Sequence, residues 1–221
     1  MATIVAPPKP AKPVPAGPGG TPPGGGSFSD GGGGGNSSGG PDEAALRVAR
    51  YKTGTWFGLA GVIMVFAGFV SAYVVRRGLS TGDWRPIQLP GVLGFSTAVL
   101  LLSSLTVERA RRSLNGSSLT WLRITSLLGV VFLAGQYAAW RQLAAAGVYV
   151  ASNPASSFFY VLTGAHGLHL LGGVLGLFYV TARAPNPAWA GREAATQSLA
   201  LYWHFMDGLW VFLFFLMVVG R

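Results

Sequence analysis

The chain has 221 residues, half of them apolar and only 10% charged, a balance that falls outside the range of soluble globular domains and points to a membrane-embedded protein. Sixteen basic against seven acidic residues give a formal charge of +9, but no dense basic stripe with interleaved aromatics accompanies it, which argues against a nucleic-acid partner. Cysteine is absent, which excludes a disulfide framework, a thiolate nucleophile and sulfur-ligated metal.

Residues 1–45 are first Pro-rich and then almost pure Gly and Ser through Gly40, with Phe28 the single aromatic. Such a segment buries too little apolar surface to offset its ordering entropy, so a disordered tether is expected, with Phe28 in an inert linker rather than a docking motif. No apolar core of signal-peptide length occurs in the first 50 residues and no Arg precedes Arg47, so insertion is expected to begin at the first span.

Residues 46–221 form the second expected unit, an all-α polytopic transmembrane bundle. About 20 apolar residues cross a hydrocarbon core of about 30 Å. On that measure five spans are expected, at about 54–75, 91–107, 124–140, 157–182 and 198–219. The second and third are short, which flanking Arg residues tolerate by snorkelling.

Charge sets the orientation. With the amino terminus in the cytoplasm, Lys9, Lys12, Arg47, Arg50, Lys52, Arg109, Arg111, Arg112, Arg123, Arg183 and Arg192 lie inside, while Arg76, Arg77, Arg85, Arg141 and Arg221 lie outside. Trp56, Trp84, Trp121, Trp140 and Trp189 fall near span ends, as interfacial anchors do.

In the fourth span His166 and His169 are three apart and share a helix face with Thr163, Gly172 and Gly176. Gly172 with Gly176, and Gly54 with Gly58 in the first span, are small-xxx-small pairs that let a neighbouring helix approach. In the fifth span Asp207 stands near mid-membrane, with His204 one turn earlier as the expected partner. The antiparallel fourth and fifth spans hold these groups at comparable depth.

Three readings of the His166, His169, His204 and Asp207 cluster stay open: a metal or haem site, a proton relay, and an interhelical hydrogen-bond network that fixes register. The i,i+3 spacing favours the network over haem ligation, which wants histidines on facing helices. Arg109, Arg111 and Arg112 with Glu108 read as a solvated loop, with an anionic lipid headgroup site as the functional alternative. No nucleotide-binding loop, Ser/His/Asp arrangement or carboxylate pair of glycosidase type is visible.

Several ordered blocks carry a resemblance. Lys52-Thr53-Gly54 with Trp56, Ser96-Thr97 with Leu101-Leu102-Ser103-Ser104, Thr163-Gly164 with His166-Gly167-Leu168-His169, and Tyr202-Trp203-His204-Phe205 with Asp207 and Trp210 resemble subunit III of haem-copper terminal oxidases, over about residues 52–220. The resemblance implies the short bacterial form with five spans, in the bacterial plasma membrane, without a redox centre of its own and not catalytic alone. It implies oxidase subunits I and II as partners, haem and copper in those subunits, bound phospholipid, support of proton uptake during aerobic respiration, and membership of a larger respiratory supercomplex. The four polar residues would be structural or proton-environment groups. Many relatives carry a Ser-Glu pair in the first span where this chain has Gly61 and Val62, so the role of that acid does not transfer. Rival readings are an accessory subunit of nitric oxide reductase, an independent transporter, for which internal repeats and broken helices are wanting, and a haem-binding anchor.

Overall fold

A computed structural model describes residues 41–80, 82–113, 118–185 and 191–220, all within the unit Gly39–Arg221. Among the described residues the secondary structure is helical: α1 (Pro41–Gly78), α2 (Gly91–Arg112), α3 (Ser118–Ala145), α4 (Pro154–Arg183) and α5 (Arg192–Val219). All five are long and apolar enough to cross a membrane. Helices are what lipid demands, because every backbone N–H and C=O in hydrocarbon must be paired within the segment. Residues 1–40 of the expected tail, Phe28 among them, with Trp189 and Arg221, lie outside the described residues.

Every helix outlasts its apolar run. α1 starts at Pro41, inside the stretch expected to be tail, and α2 and α3 extend to 22 and 28 residues. Span reading stops at the first charge, whereas the helix does not: Glu108 takes Arg111 and Arg112 as i,i+3 and i,i+4 partners and carries α2 out past the apolar core. Arg76 and Arg77 close α1, and Arg109, Arg111 and Arg112 close α2, each favourable beside the carbonyl end of a helix dipole. α4 has the sharpest start. Asn153 accepts from the Ser156 N–H at 3.1 Å, the Ser156 hydroxyl accepts from the Asn153 N–H at 3.1 Å, and Pro154 occupies the first turn.

α2 packs most extensively on α3, α4 bridges α3 and α5, and α5 closes back on α2. Among the described residues α1 is peripheral, and α4 and α5 are the helices it touches. Its buried residues, Leu59, Val62, Phe66 and Tyr73, form one narrow stripe. The core centres on Trp203, Trp210, Phe66 and Phe132, each 2% exposed or less. Close approach is permitted by glycines. A β-carbon on Gly129 would stand 2.7 Å from the Trp203 ring and 2.9 Å from Val174, and one on Gly135 would overlap the Ser96 hydroxyl.

Of the four glycines expected to admit a neighbour, Gly176 does so, with Leu199 at 3.1 Å from its would-be β-carbon. Gly54, Gly58 and Gly172 have open space there. The reason is the narrow packing stripe of α1: Gly58 and Gly172 line a cleft of about 440 Å³ instead of a contact. Trp84, Trp121 and Trp140 sit near helix ends but are not simply interfacial. Trp84 packs edge-on to Tyr73 at 5.4 Å, Trp121 lies 5.3 Å under Arg109, and Trp140 donates to Thr163 at 3.1 Å.

Candidate functional site

α2 and α5 run antiparallel, and a row of α2 hydroxyls faces a row of α5 ring nitrogens. Trp210 Nε1 donates to Thr97 Oγ1 at 3.0 Å, Trp203 Nε1 donates to Ser103 Oγ at 2.9 Å, and His204 Nδ1 lies 2.7 Å from Ser104 Oγ. The chemistry suits the residue types. Thr97 and Ser103 spend their single O–H on carbonyls of their own helix, Leu93 at 2.8 Å and Leu100 at 2.6 Å, which leaves lone pairs to receive the indole N–H groups. One helix thus supplies acceptors at the spacing at which the other supplies donors.

The row continues to the end of α2. His204 Nε2 stands 3.5 Å from Glu108 Oε2, and Glu108 also accepts from Arg111 Nε at 2.8 Å and Nη2 at 2.7 Å, and from Arg112. The Glu108 side chain is 23% exposed, against 75% for Arg112. The pairing of Glu108 with Arg112 matches the spacing, but Glu108 is drawn inward by the histidine rather than lying in a free loop.

His204 was expected to pair with Asp207, and it turns elsewhere. Asp207 is 4% exposed in the core, while His204 bonds to Ser104 of α2 and borders a cleft of about 660 Å³ between α1 and α5. Neither Asp207 oxygen meets a hydrogen-bond partner among the described residues; Ser104 is the polar side chain that faces it.

The histidines of α4 make other contacts. His166 is fully buried among Phe66, Phe132 and Trp210, its ring centroid 5.0 Å from that of Trp210, and neither ring nitrogen is bonded within the described residues. His169 Nδ1 donates to the Ala165 carbonyl at 2.7 Å, and its ring lies 5.6 Å from Phe66. Its own backbone carbonyl accepts from the Tyr202 hydroxyl at 2.8 Å, a second tie between α4 and α5. Among the described residues no hydrogen bond joins the four expected residues to one another, and no three His, Cys, Asp or Glu side chains group as a metal site.

Sequence reasoning passed over Glu108 as a partner of the buried row. The missed signal was its position one helical turn beyond Ser104 on α2, the turn that faces His204. Arg109 stacks on Trp121, and Arg111 and Arg112 hold Glu108, so the basic residues expected at lipid headgroups are anchored to the protein as well.

Five apolar helices, interhelical ties from indole, hydroxyl and imidazole, and ionisable groups kept inside the bundle define a polytopic membrane protein built to hold polar residues away from water. Residues 58–219 match the family model described as cytochrome c oxidase subunit III, and the chain belongs to that family. It is 33% identical over 169 residues to a probable cytochrome c oxidase subunit 3 of Nocardia farcinica, covering 73% of this chain and 83% of the relative. A probable cytochrome c oxidase subunit 3 of Mycobacterium tuberculosis is 33% identical over 170 residues, with the same coverage. The cytochrome c oxidase subunit 3 of Synechocystis is 32% identical over 165 residues, 69% of this chain and 68% of the relative.

Proposed function

We propose that the protein is the non-catalytic third subunit of an aerobic terminal oxidase in a bacterial plasma membrane. It packs against subunit I, beside subunit II, with the haem and copper in those partners, and it stabilises subunit I, holds phospholipid and supports proton uptake. His166, His169, His204 and Asp207 serve as structural and proton-environment groups, and Arg109, Arg111 and Arg112 contact lipid headgroups. The observation that carries this reading is the peripheral helix. In a chain of this family, α1 buries only a narrow stripe and turns Gly54, Gly61 and Gly68 outward with nothing within 4 Å of a would-be β-carbon, small residues that suit close docking of a further subunit's helix.

The test is purification of the tagged chain in mild detergent. The reading expects a large haem protein to travel with it and the optical spectrum of the assembly to show haem, with none bound by this polypeptide alone. A chain recovered intact and unaccompanied would overturn the assignment. The excess of basic residues on one side supports an amino terminus in the cytoplasm, and the absence of native cysteine makes that directly measurable. A single Cys introduced in the tail is expected to react with an impermeant maleimide only after the cells are opened.

A further inference from the structure

We propose that the groove between α3 and α4 seats a transmembrane helix of a partner subunit, one of whose polar side chains bonds the amide of Gln136. The inference deepens the subunit reading proposed above and rests on it. The groove measures about 310 Å³ and its walls come from α3 and α4, so it is a surface separate from the outward glycines of the first helix. Gln136 forms part of its wall, 5% exposed, and neither its amide nitrogen nor its amide oxygen meets a hydrogen-bond partner among the described residues. A primary amide brings two N–H donors and a carbonyl acceptor, and buried polar groups of this kind are paired wherever a partner can be had.

The other polar side chains of the groove are already engaged. Trp140 Nε1 donates to Thr163 Oγ1 at 3.1 Å, the Thr163 hydroxyl donates to the Phe159 carbonyl at 2.7 Å, and the Tyr137 hydroxyl accepts from Arg141 at 3.3 Å. Gln136 is the group in this groove that the chain leaves for something outside itself.

Depth and wall chemistry identify the occupant. Gln136 stands five positions before Arg141 on α3, roughly 8 Å of helix further into the apolar region. At that level a phospholipid presents acyl chains, which neither donate nor accept a hydrogen bond, so lipid fills the groove but leaves the amide unpaired. Gly164 and Gly167 face the groove from α4, and a β-carbon on Gly167 would meet nothing within 4 Å. Small residues gain little against fluid lipid, whereas they let a neighbouring helix come close enough to bring a side chain onto the amide. Ser, Thr, Asn, Gln or His on that helix both gives and accepts, which matches an amide with both needs open.

The experiment is photo-cross-linking in the native membrane from p-benzoylphenylalanine placed at Leu168, which lines the groove and is 69% exposed, followed by purification of the assembly and peptide mapping of the adduct. The expected product is a protein–protein adduct on a transmembrane segment that carries Ser, Thr, Asn, Gln or His within one turn of the attachment point. Gln136→Met keeps the length of the side chain and removes both hydrogen-bonding groups. It should lower the adduct yield by roughly threefold to twentyfold, the loss that one interhelical hydrogen bond in a membrane accounts for. Gly167→Leu, which starts from open space at the β-carbon and fills the groove, should abolish the adduct without lowering the melting temperature of the chain, and it keeps the test decisive should Gln136→Met impair folding. An adduct with lipid alone, an adduct on a segment without such a side chain, no adduct, or a yield that neither variant changes would each overturn the proposal. Failure of a haem protein to accompany the unsubstituted chain would instead overturn the subunit assignment.

Discussion

Asp207 and the two core tryptophans show how much of this bundle hangs on single side chains. Trp210 combines three roles: its ring packs at 86° to Phe132 with centroids 5.1 Å apart, lies 5.0 Å from His166, and its N–H reaches Thr97. Trp210→Phe keeps an aromatic ring and removes the donor, and it should cost about 0.6 to 1.7 kcal/mol, the range of interhelical hydrogen bonds inside membranes, plus the loss of ring volume. Unfolding in mixed micelles would measure it, and no change would mean that the Thr97 contact is idle. Val62 poses the converse case. It is 7% exposed and belongs to the core. Val62→Glu, which places a carboxyl group in the first span, should lower stability by about 3 kcal/mol, since nothing here is prepared to receive it. Complexes that still assemble should keep the alkaline limb of their turnover profile. A displaced limb would show that the position couples to proton delivery even in this chain.

Helix by helix, the spans and their number were legible because hydropathy over about 20 residues is a one-dimensional quantity. Their ends were not, because Glu108 with Arg111 and Arg112 continues a helix that composition reads as loop. The glycines make the same point. Spacing of Gly54 with Gly58, or Gly172 with Gly176, says that a close approach is permitted, but which face meets a neighbour depends on helix rotation, and rotation is set by the whole bundle. Among the described residues, close approaches fall at Gly129, Gly135, Gly173, Gly176 and Gly220, so only one of the four expected glycines is included. His204 was likewise readable as a polar residue within a span, while its partner on α2, 96 positions away in sequence at Glu108, was not. Gly129→Ala should therefore destabilise by about 1 to 3 kcal/mol through overpacking against Trp203 and Val174. Gly172→Ala, with open space around it, should be neutral or gain a few tenths of a kcal/mol from helix propensity. Thermal denaturation of the two variants side by side decides the matter, and a reversed order would mean that α4 is rotated from its place here.

At the scale of the molecule the bundle is asymmetric. α2, α3, α4 and α5 close a ring of contacts, whereas α1 leans on α4 and α5 alone and turns most of its circumference outward. Lipid would satisfy that surface energetically, because hydrocarbon tails are as apolar as leucine, so an outward apolar face does not by itself call for a partner. Small residues do distinguish the two, since they gain nothing against fluid lipid but admit a helix closely. Gly54, Gly61 and Gly68 are exposed on α1 with nothing within 4 Å of a would-be β-carbon. Gly61→Leu should leave the thermal stability of the isolated chain within about 0.5 kcal/mol, as surface substitutions do. If α1 is where the oxidase core docks, the same substitution should sharply reduce the haem protein recovered with the tagged chain. Recovery unchanged by Gly61→Leu would move the docking face off α1 and onto the outer side of α2 and α3.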